Sequence, residues 1–360
     1  MRRPDDDGTV LVGRPTERAR LVDVSFANVD DWTSALSAST PALPEQSSAW
    51  VAAMCRSRLV DDVSRAYRFD DGRTVVLPLV RRGIGPVASW WSPLPAWGVG
   101  GPVGDVDGTV VDAIVDDLRR QRVARIGVRI DEWQEPLWTS ATRPDERPVE
   151  RCVHVIEMQP TLDEQFALLS KTTRRNIRRA LDGPAEIRVD RTGGLLDDHY
   201  ELYLRSVERW ADQQREPVRL ALARARRRDP LTKLRAMQDA LGDRCVTLTA
   251  FIDGRPAASI ILLLGATARD TRGAMDIDIE GASAANAAIQ WRAICQAYDF
   301  GSRRYHMGET GRSSGLATFK EKFGATPRSH HEFRFERLPL TRAGVGARTL
   351  VKRIIGFEDT

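Results

Sequence analysis

The sequence predicts an α+β protein built from two similar halves, and three observations predict it. Two stretches half a chain apart, "YRFDDGRTVVLPLV" and "TAFIDGRPAASIILLL", share one pattern: an apolar run, a Phe-x-Asp-Gly-Arg turn and a second apolar run. Asp-Gly between such runs (Asp71-Gly72 and Asp253-Gly254) marks a tight hairpin, because both residues tolerate positive φ. Two unrelated hairpins would give the same local signal, but a shared frame points to duplication. Antiparallel hairpins feeding single helices favour an α+β layer over a doubly wound sheet. No G-x-G-x-x-G follows a strand and opens a helix, and there is no Walker A motif. "GVGGPVG" is Gly-rich, but its proline breaks any phosphate loop.

The elements follow in order. Residues 1–18 open with a charged, polar run and are expected to be disordered. Residues 19–150 make the first unit. There "PEQSSAWVAAMCRSRL" reads as a capped helix leading into the first hairpin, and "SWWSPLPAWGVGGPVG" must be a loop. A helix near "TVVDAIVDDLRRQ" and a strand "VARIGVRI" close the unit. The polar, Pro-bearing "TSATRPDERPVER" is the expected boundary. Residues 151–340 make the second unit, starting with a strand, "CVHVIEM". The helical "TLDEQFALLSKTTRRNIRRALDG" has a Thr/Asp start and a Gly stop. Helices around 196–213 and 230–241 lead into the second hairpin. Then come an alternating strand, "AMDIDIE", a helix from about Ser283 to Tyr298, a strand "RRYHMG", a short helix in "GLATFKEKFG" and a strand "HEFRFER". Residues 341–360 read as a C-terminal helical tail.

Composition excludes several classes. The 360 residues are 42% hydrophobic and 29% charged, enough for two ordinary cores. Lys and Arg number 54 against 50 acidic residues, so net charge alone does not call for nucleic acid; clustering decides. Cys55, Cys152, Cys245 and Cys295 are widely spaced without C-x-x-C, which argues against a zinc site or a disulfide framework. They read as reduced residues of a cytoplasmic protein. The N-terminus lacks an apolar signal core, and "SIILLLGA" falls short of the ~20 residues that span a bilayer. The expected location is the cytoplasm, with no membrane span, as monomer or homodimer.

Several groups of residues are candidates for chemistry. Leu316, Phe319 and Phe323 share a helix face, with Lys320 at its border; the ordinary alternative is a snorkelling surface lysine. If "FALLSKTTRRNIRRAL" is one helix, Phe166, Thr173, Ile177 and Leu181 share its core face. Lys171, Arg175, Arg178 and Arg179 then form an opposing stripe, with Arg174 beside the core. Such a stripe fits the phosphates of tRNA or the pyrophosphate of coenzyme A, and equally a solvated face. In "AMDIDIE", Asp276, Asp278 and Glu280 alternate with Met275, Ile277 and Ile279, and three carboxylates on one strand face could accept an ammonium or its proton. His306 and Glu309 are rival bases. Trp90, Trp91 and Trp97 cluster in the Pro/Gly loop, where packing is the ordinary role. No G-x-S-x-G elbow and no plausible Cys–His pair is visible, so a covalent enzyme nucleophile is not expected.

The pattern resembles the Fem-type transferases, tandem GNAT-fold proteins that include peptidoglycan-bridge aminoacyltransferases and relatives described as acetyltransferases. The matching stretches are "PEQSSAW", "VLPLV", "SKTTRRNIRRA", "AANAAIQWRAICQAYDFGSRRYHMG" and "GLATFKEKFGA", spanning about Pro44 to Phe335. The resemblance implies two GNAT-like domains, each a mixed, mostly antiparallel sheet flanked by helices, with acceptor and donor in a cleft between them. It implies direct attack of an amine on an activated acyl group. It places Lys320 at the acyl-transfer site, facing developing charge on the carbonyl. On the donor side it implies Ser283, Asn286 and Phe319; on the acceptor side, Trp97 and Trp91. The Arg/Gln-x-x-Gly-x-Gly/Ala turn usual in coenzyme-A-binding members is missing from "EGASAANAAIQW". This departure ranks aminoacyl-tRNA ahead of a coenzyme A thioester as donor, with no tightly bound cofactor and no metal. No long coiled-coil insertion is present, so the expected acceptor is a small amine, peptide or specialised metabolite. An inactive GNAT-like protein that binds RNA or a partner is the alternative outside enzymology.

Overall fold

The structure is a computed structural model that describes residues 19–38, 42–279, 281–311, 314–337 and 341. The expectations for residues 1–18, for Glu280 and for a helical tail after Thr341 lie outside the described residues.

The first half runs β1 (Leu21–Phe26), α1 (Val29–Ala38), α2 (Ser48–Ser57), β2 (Asp61–Asp62), β3 (Arg65–Phe69), β4 (Thr74–Leu77), β5 (Val80–Arg82) and β6 (Ser89–Ser92). It continues with α3 (Gly108–Arg120), β7 (Arg125–Arg129) and α4 (Glu135–Ala141). Next come β8 (Val149–Glu157), α5 (Leu162–Ala167), α6 (Lys171–Leu181), β9 (Glu186–Asp190) and three helices, α7 (Leu196–Gln213), α8 (Val218–Arg228) and α9 (Leu231–Leu241). The second half closes with β10 (Cys245–Ile252), β11 (Arg255–Leu263), β12 (Thr267–Met275), α10 (Ala282–Asp299), β13 (Arg304–Glu309), α11 (Ser314–Glu321) and β14 (Thr326–Glu336). The fold is mixed α+β. Both expected hairpins form, β3–β4 and β10–β11. Their turns differ: Asp253 and Gly254 both take positive φ (50° and 73°), whereas in the first turn only Gly72 does, at 86°.

Eleven strands form one sheet in the order β2-β5-β6-β7-β14-β8-β13-β12-β11-β10-β9, and β1, β3 and β4 form a separate small sheet. The last strand joins the halves. β8 pairs with β13, while β14, the last strand, crosses over to pair with β7. β14 also pairs with β8 from Thr326 to Glu332, so the two halves share one unbroken hydrogen-bonded seam. An apolar core formed by α2, α9, β11 and the tryptophan loop further joins them, with Trp50, Trp97, Leu234 and Leu263 in one cluster. The second half has its own core of β10, β11, α10 and Phe323.

Four expectations need correction. Ser89–Ser92, the start of the expected Trp/Pro loop, is the strand β6, paired with β5 and β7. The 161–183 region is two helices, because Ser170 caps α6 by accepting the Thr173 N–H, and Leu181 is 49% exposed rather than core. β12 stops at Met275, so "AMDIDIE" is not a strand; Asp276 turns back to accept the Asp278 N–H and pairs with Arg205. Asp276 and Asp278 therefore do not line one face: Asp276 is buried and Asp278 exposed. β9 and α8 were not visible in the sequence pattern; Arg58 donates to the carbonyls of Arg227 and Arg228 at the end of α8.

Candidate active site

The sheet has a gap in the second half. β12 and β13 are parallel neighbours, yet they pair only from Thr267–Arg269 to Arg304–His306. Beyond Arg269 and His306 the strands part. Each carries an irregularity there: β12 shifts register against β11 between Ile261 and Leu262, leaving Thr271 extra, and β13 shifts against β8 between His306 and Glu309. Gly308, at φ 73°, lets β13 make that bulge, and its N–H donates to His306 Nδ1 (2.9 Å). In the first half the equivalent pair, β6–β7, is followed by a loop that fills the gap: the Gly100 N–H donates to Arg129 O (2.7 Å) and the Gly101 N–H to Ser92 Oγ (3.1 Å).

On the α10 side of the fork lie Asp270 and Lys320. Lys320 is the buried residue of α11, 4% exposed, while Leu316 is 39% exposed; the helix is rotated from the expectation that put Lys320 at the rim. Its ammonium donates to Gly308 O (2.8 Å), Glu309 O (2.9 Å) and Thr310 Oγ1 (3.2 Å), so it clasps the β13 bulge. Burial pulls its pKa down to about 8, with Asp270 pulling the other way. Asp270, half-buried, accepts from Gln290 of α10 (3.2 Å), which also donates to Tyr305 Oη (2.7 Å). Burial raises the Asp270 pKa, against the opposing pull of Lys320 and the Gln290 bond.

On the opposite face Arg269 pairs with Glu45 (3.0 Å). His306 is fully buried, and burial, with Arg269 nearby, lowers its pKa to about 3. Because Nδ1 accepts the Gly308 N–H, the ring proton sits on Nε2, 3.6 Å from Glu132. Glu309 bonds Arg129 and Arg151 (3.1 Å each); they outweigh its burial and keep the carboxyl below the usual range. Surface hollows beside Arg119 and Arg334, and beside Trp210 and Arg224, share no lining residue with the fork.

A solved structure titled FemX superposes on this chain with a TM-score of 0.64 at 12% identity, covering 90% of this chain and 99% of that one. The chain has the Fem-type tandem GNAT fold. A conserved protein of unknown function from Bacteroides thetaiotaomicron VPI-5482 is also similar, with a TM-score of 0.51 at 14% identity over 86% of this chain and 97% of that one. Residues 169–321, from the end of α5 through the fork to α11, match the acetyltransferase (GNAT) domain family. No curated protein matches the sequence significantly.

In this Fem-type fold the basic stripe lies on α6, packed against α10 through Ala180, Ala284 and Ala288. Lys171, Arg175, Arg178 and Arg179 are exposed, and Arg174 is half-buried against the Ala167 carbonyl. Among the described residues none of the five has an acidic partner within 4 Å. Ser283 is exposed and Asn286 half-buried in the first turns of α10, and Phe319 stacks on Phe323 at 5.1 Å. The tryptophans do not open to a cleft. Trp97 is 2% exposed, edge-on to Trp50 with the Lys233 ammonium 4.9 Å from its ring, and Trp91 is covered by Arg125 and Arg334. Both side chains pack inside the fold. Asp270, Glu45, Asp131, Glu132 and His330 escaped the sequence reading. Only "RIDEW", two adjacent carboxylates directly after a strand, carried a signal.

Proposed function

We propose that this protein is an N-acyltransferase that joins an activated carboxyl group to an amine at the β12–β13 fork. The observation that carries this is the fork itself, an unpaired gap edged by a deep carboxyl and a buried ammonium. A donor carbonyl lodged in the gap meets free strand edges, and the acceptor nitrogen attacks its carbon. Asp270, more basic than an ordinary carboxylate, takes the proton from that nitrogen. The C–N bond forms, the bond to the carrier breaks, and the carrier leaves on its own oxygen or sulfur, taking up a proton. Lys320 holds the bulge and supplies positive charge beside the developing oxyanion; trading its longest bond, to Thr310, would free a donor. His306, neutral and committed to Gly308, and Glu309, neutralised by two arginines, are poorer bases.

The donor we favour is an aminoacyl group on tRNA, because the exposed basic face of α6 packs beside α10 without acidic neighbours to satisfy it. A coenzyme A thioester is the second reading, favoured by the match of residues 169–321 to an acetyltransferase domain. The acceptor is an amine on a peptide or small metabolite. Purified protein is incubated with charged tRNA or acetyl-CoA and an amine library. RNase-sensitive amide product supports the first donor and RNase-resistant, thioester-dependent product the second. No product with either donor rejects the transferase reading.

A further inference from the structure

On the seam side of the fork, four titratable side chains from three elements meet with polar atoms left over. Asp131 and Glu132 follow β7, His306 comes from β13 and His330 from β14. All four are buried, His330 at 1% exposed. Glu132 Oε2, His306 Nε2 and both ring nitrogens of His330 have no hydrogen-bond partner among the described residues. Of the other charged groups around them, Arg269 is ion-paired with Glu45 while its Nε and Nη1 make no hydrogen bond among the described residues, Glu309 and Glu332 pair with Arg129 and Arg151, and Glu135 pairs with His331. Asp131 and Glu132 thus stand as two carboxyl groups side by side, with no cation of their own among the described residues. Burial, together with the neighbouring Glu132, lifts Asp131 well above the usual carboxylate range. Burial holds His330 near pKa 4, so both histidines are uncharged and cannot neutralise the pair.

A buried net negative charge with free acceptor atoms calls for a cation that brings its own donors. A primary ammonium has three N–H donors and one positive charge. Glu132 Oε2 and the unprotonated nitrogen of His330 are free acceptors for it. His306 Nε2 lies 3.6 Å from Glu132 Oε2, beyond hydrogen-bond distance. Among the described residues no group of His, Cys, Asp and Glu has the geometry to hold a metal ion. Arg269 and His306 are the last paired residues before the strands part, so the cluster, through His306, adjoins the fork.

We infer that the Asp131–Glu132–His306–His330 cluster is a binding site for the primary ammonium group of the acceptor. The identity of that ammonium as the acceptor rests on the proposed acyl transfer, but the binding site does not. The acceptor class is accordingly an aliphatic amine, cationic at neutral pH, rather than an aromatic amine or an alcohol.

The test is calorimetric titration of the full chain with n-butylammonium chloride near neutral pH, in two buffers of different ionisation enthalpy and without any acyl donor. Saturable binding with release of a substantial fraction of one proton is expected, together with no binding of n-butanol. Glu132→Gln should weaken binding about tenfold or more and abolish proton release; Asp131→Asn should do the same. Circular dichroism checks that both variants fold, and wild-type proton release stands as evidence if either does not. No binding up to tens of millimolar, binding without proton exchange, or equal binding of butanol overturns the inference. Acyl transfer observed alongside any of those results would leave the enzyme reading standing and this site refuted. Proton-linked binding with no acyl transfer would leave the site and remove its role as acceptor site.

Discussion

Replacing Lys320 with methionine measures what it costs to keep a cation at the fork. Methionine keeps most of the aliphatic length, so little cavity opens. It strands three acceptors, Gly308 O, Glu309 O and Thr310 Oγ1, of which a buried one costs about 1–3 kcal/mol when left unmade. Against that, the folded lysine has a pKa of about 8 rather than 10.5, a gap equivalent to about 3 kcal/mol spent on holding the charge. At neutral pH these terms nearly offset, and Lys320→Met is expected to lose about 1–2 kcal/mol. The pH dependence is sharper. Because the folded pKa is depressed, the unfolded chain binds more protons between about pH 8 and 10.5, so wild-type stability rises with pH across that window relative to the variant. From about pH 7 to 9.5 the difference should grow by roughly 2 kcal/mol, read from urea unfolding of both proteins at matched pH. Parallel stability curves would refute the claim that Lys320 is a desolvated cation in the folded protein, and with it its proposed electrostatic role.

Two further outcomes follow from the same site. Asp270→Asn should lower kcat by about 10²–10⁴ and erase the acidic limb of the pH–rate profile, with Tm unchanged or higher because a desolvated carboxyl is gone. A fully active Asp270→Asn enzyme would assign the proton to another group. Reversing Arg175 and Arg179 to glutamate together should raise donor KM and flatten its salt dependence, while amine binding is unaffected; an unaltered salt slope would separate α6 from the donor.

Features set by a few neighbouring residues were legible. Both Asp-Gly hairpins, the helix of α3 and the long helix of α10 form where turn chemistry and apolar spacing placed them. The failures share one cause, which is that local pattern does not say what lies across the sheet. "AMDIDIE" alternates like a strand, but the register with β11 ends at Met275, and the Asp276 side chain finds Arg205 from a helix 71 residues earlier. Apolar residues placed Lys320 at a helix rim, but the β13 bulge offered its ammonium three oxygens, and that outweighed burying the apolar Leu316.

By itself the sequence determined the class of the fold, its internal repeat and a lysine worth watching, because turns, caps and periodicity act within a few residues. Only the tertiary structure decided that β14 crosses to pair with β7 and that one parallel pair stays open while its counterpart is filled. It also brought Asp131, Glu132, His306 and His330 from three elements into one buried cluster. Those outcomes depend on hydrogen-bond partners and desolvation supplied by residues up to two hundred positions away, and no local window carries that information.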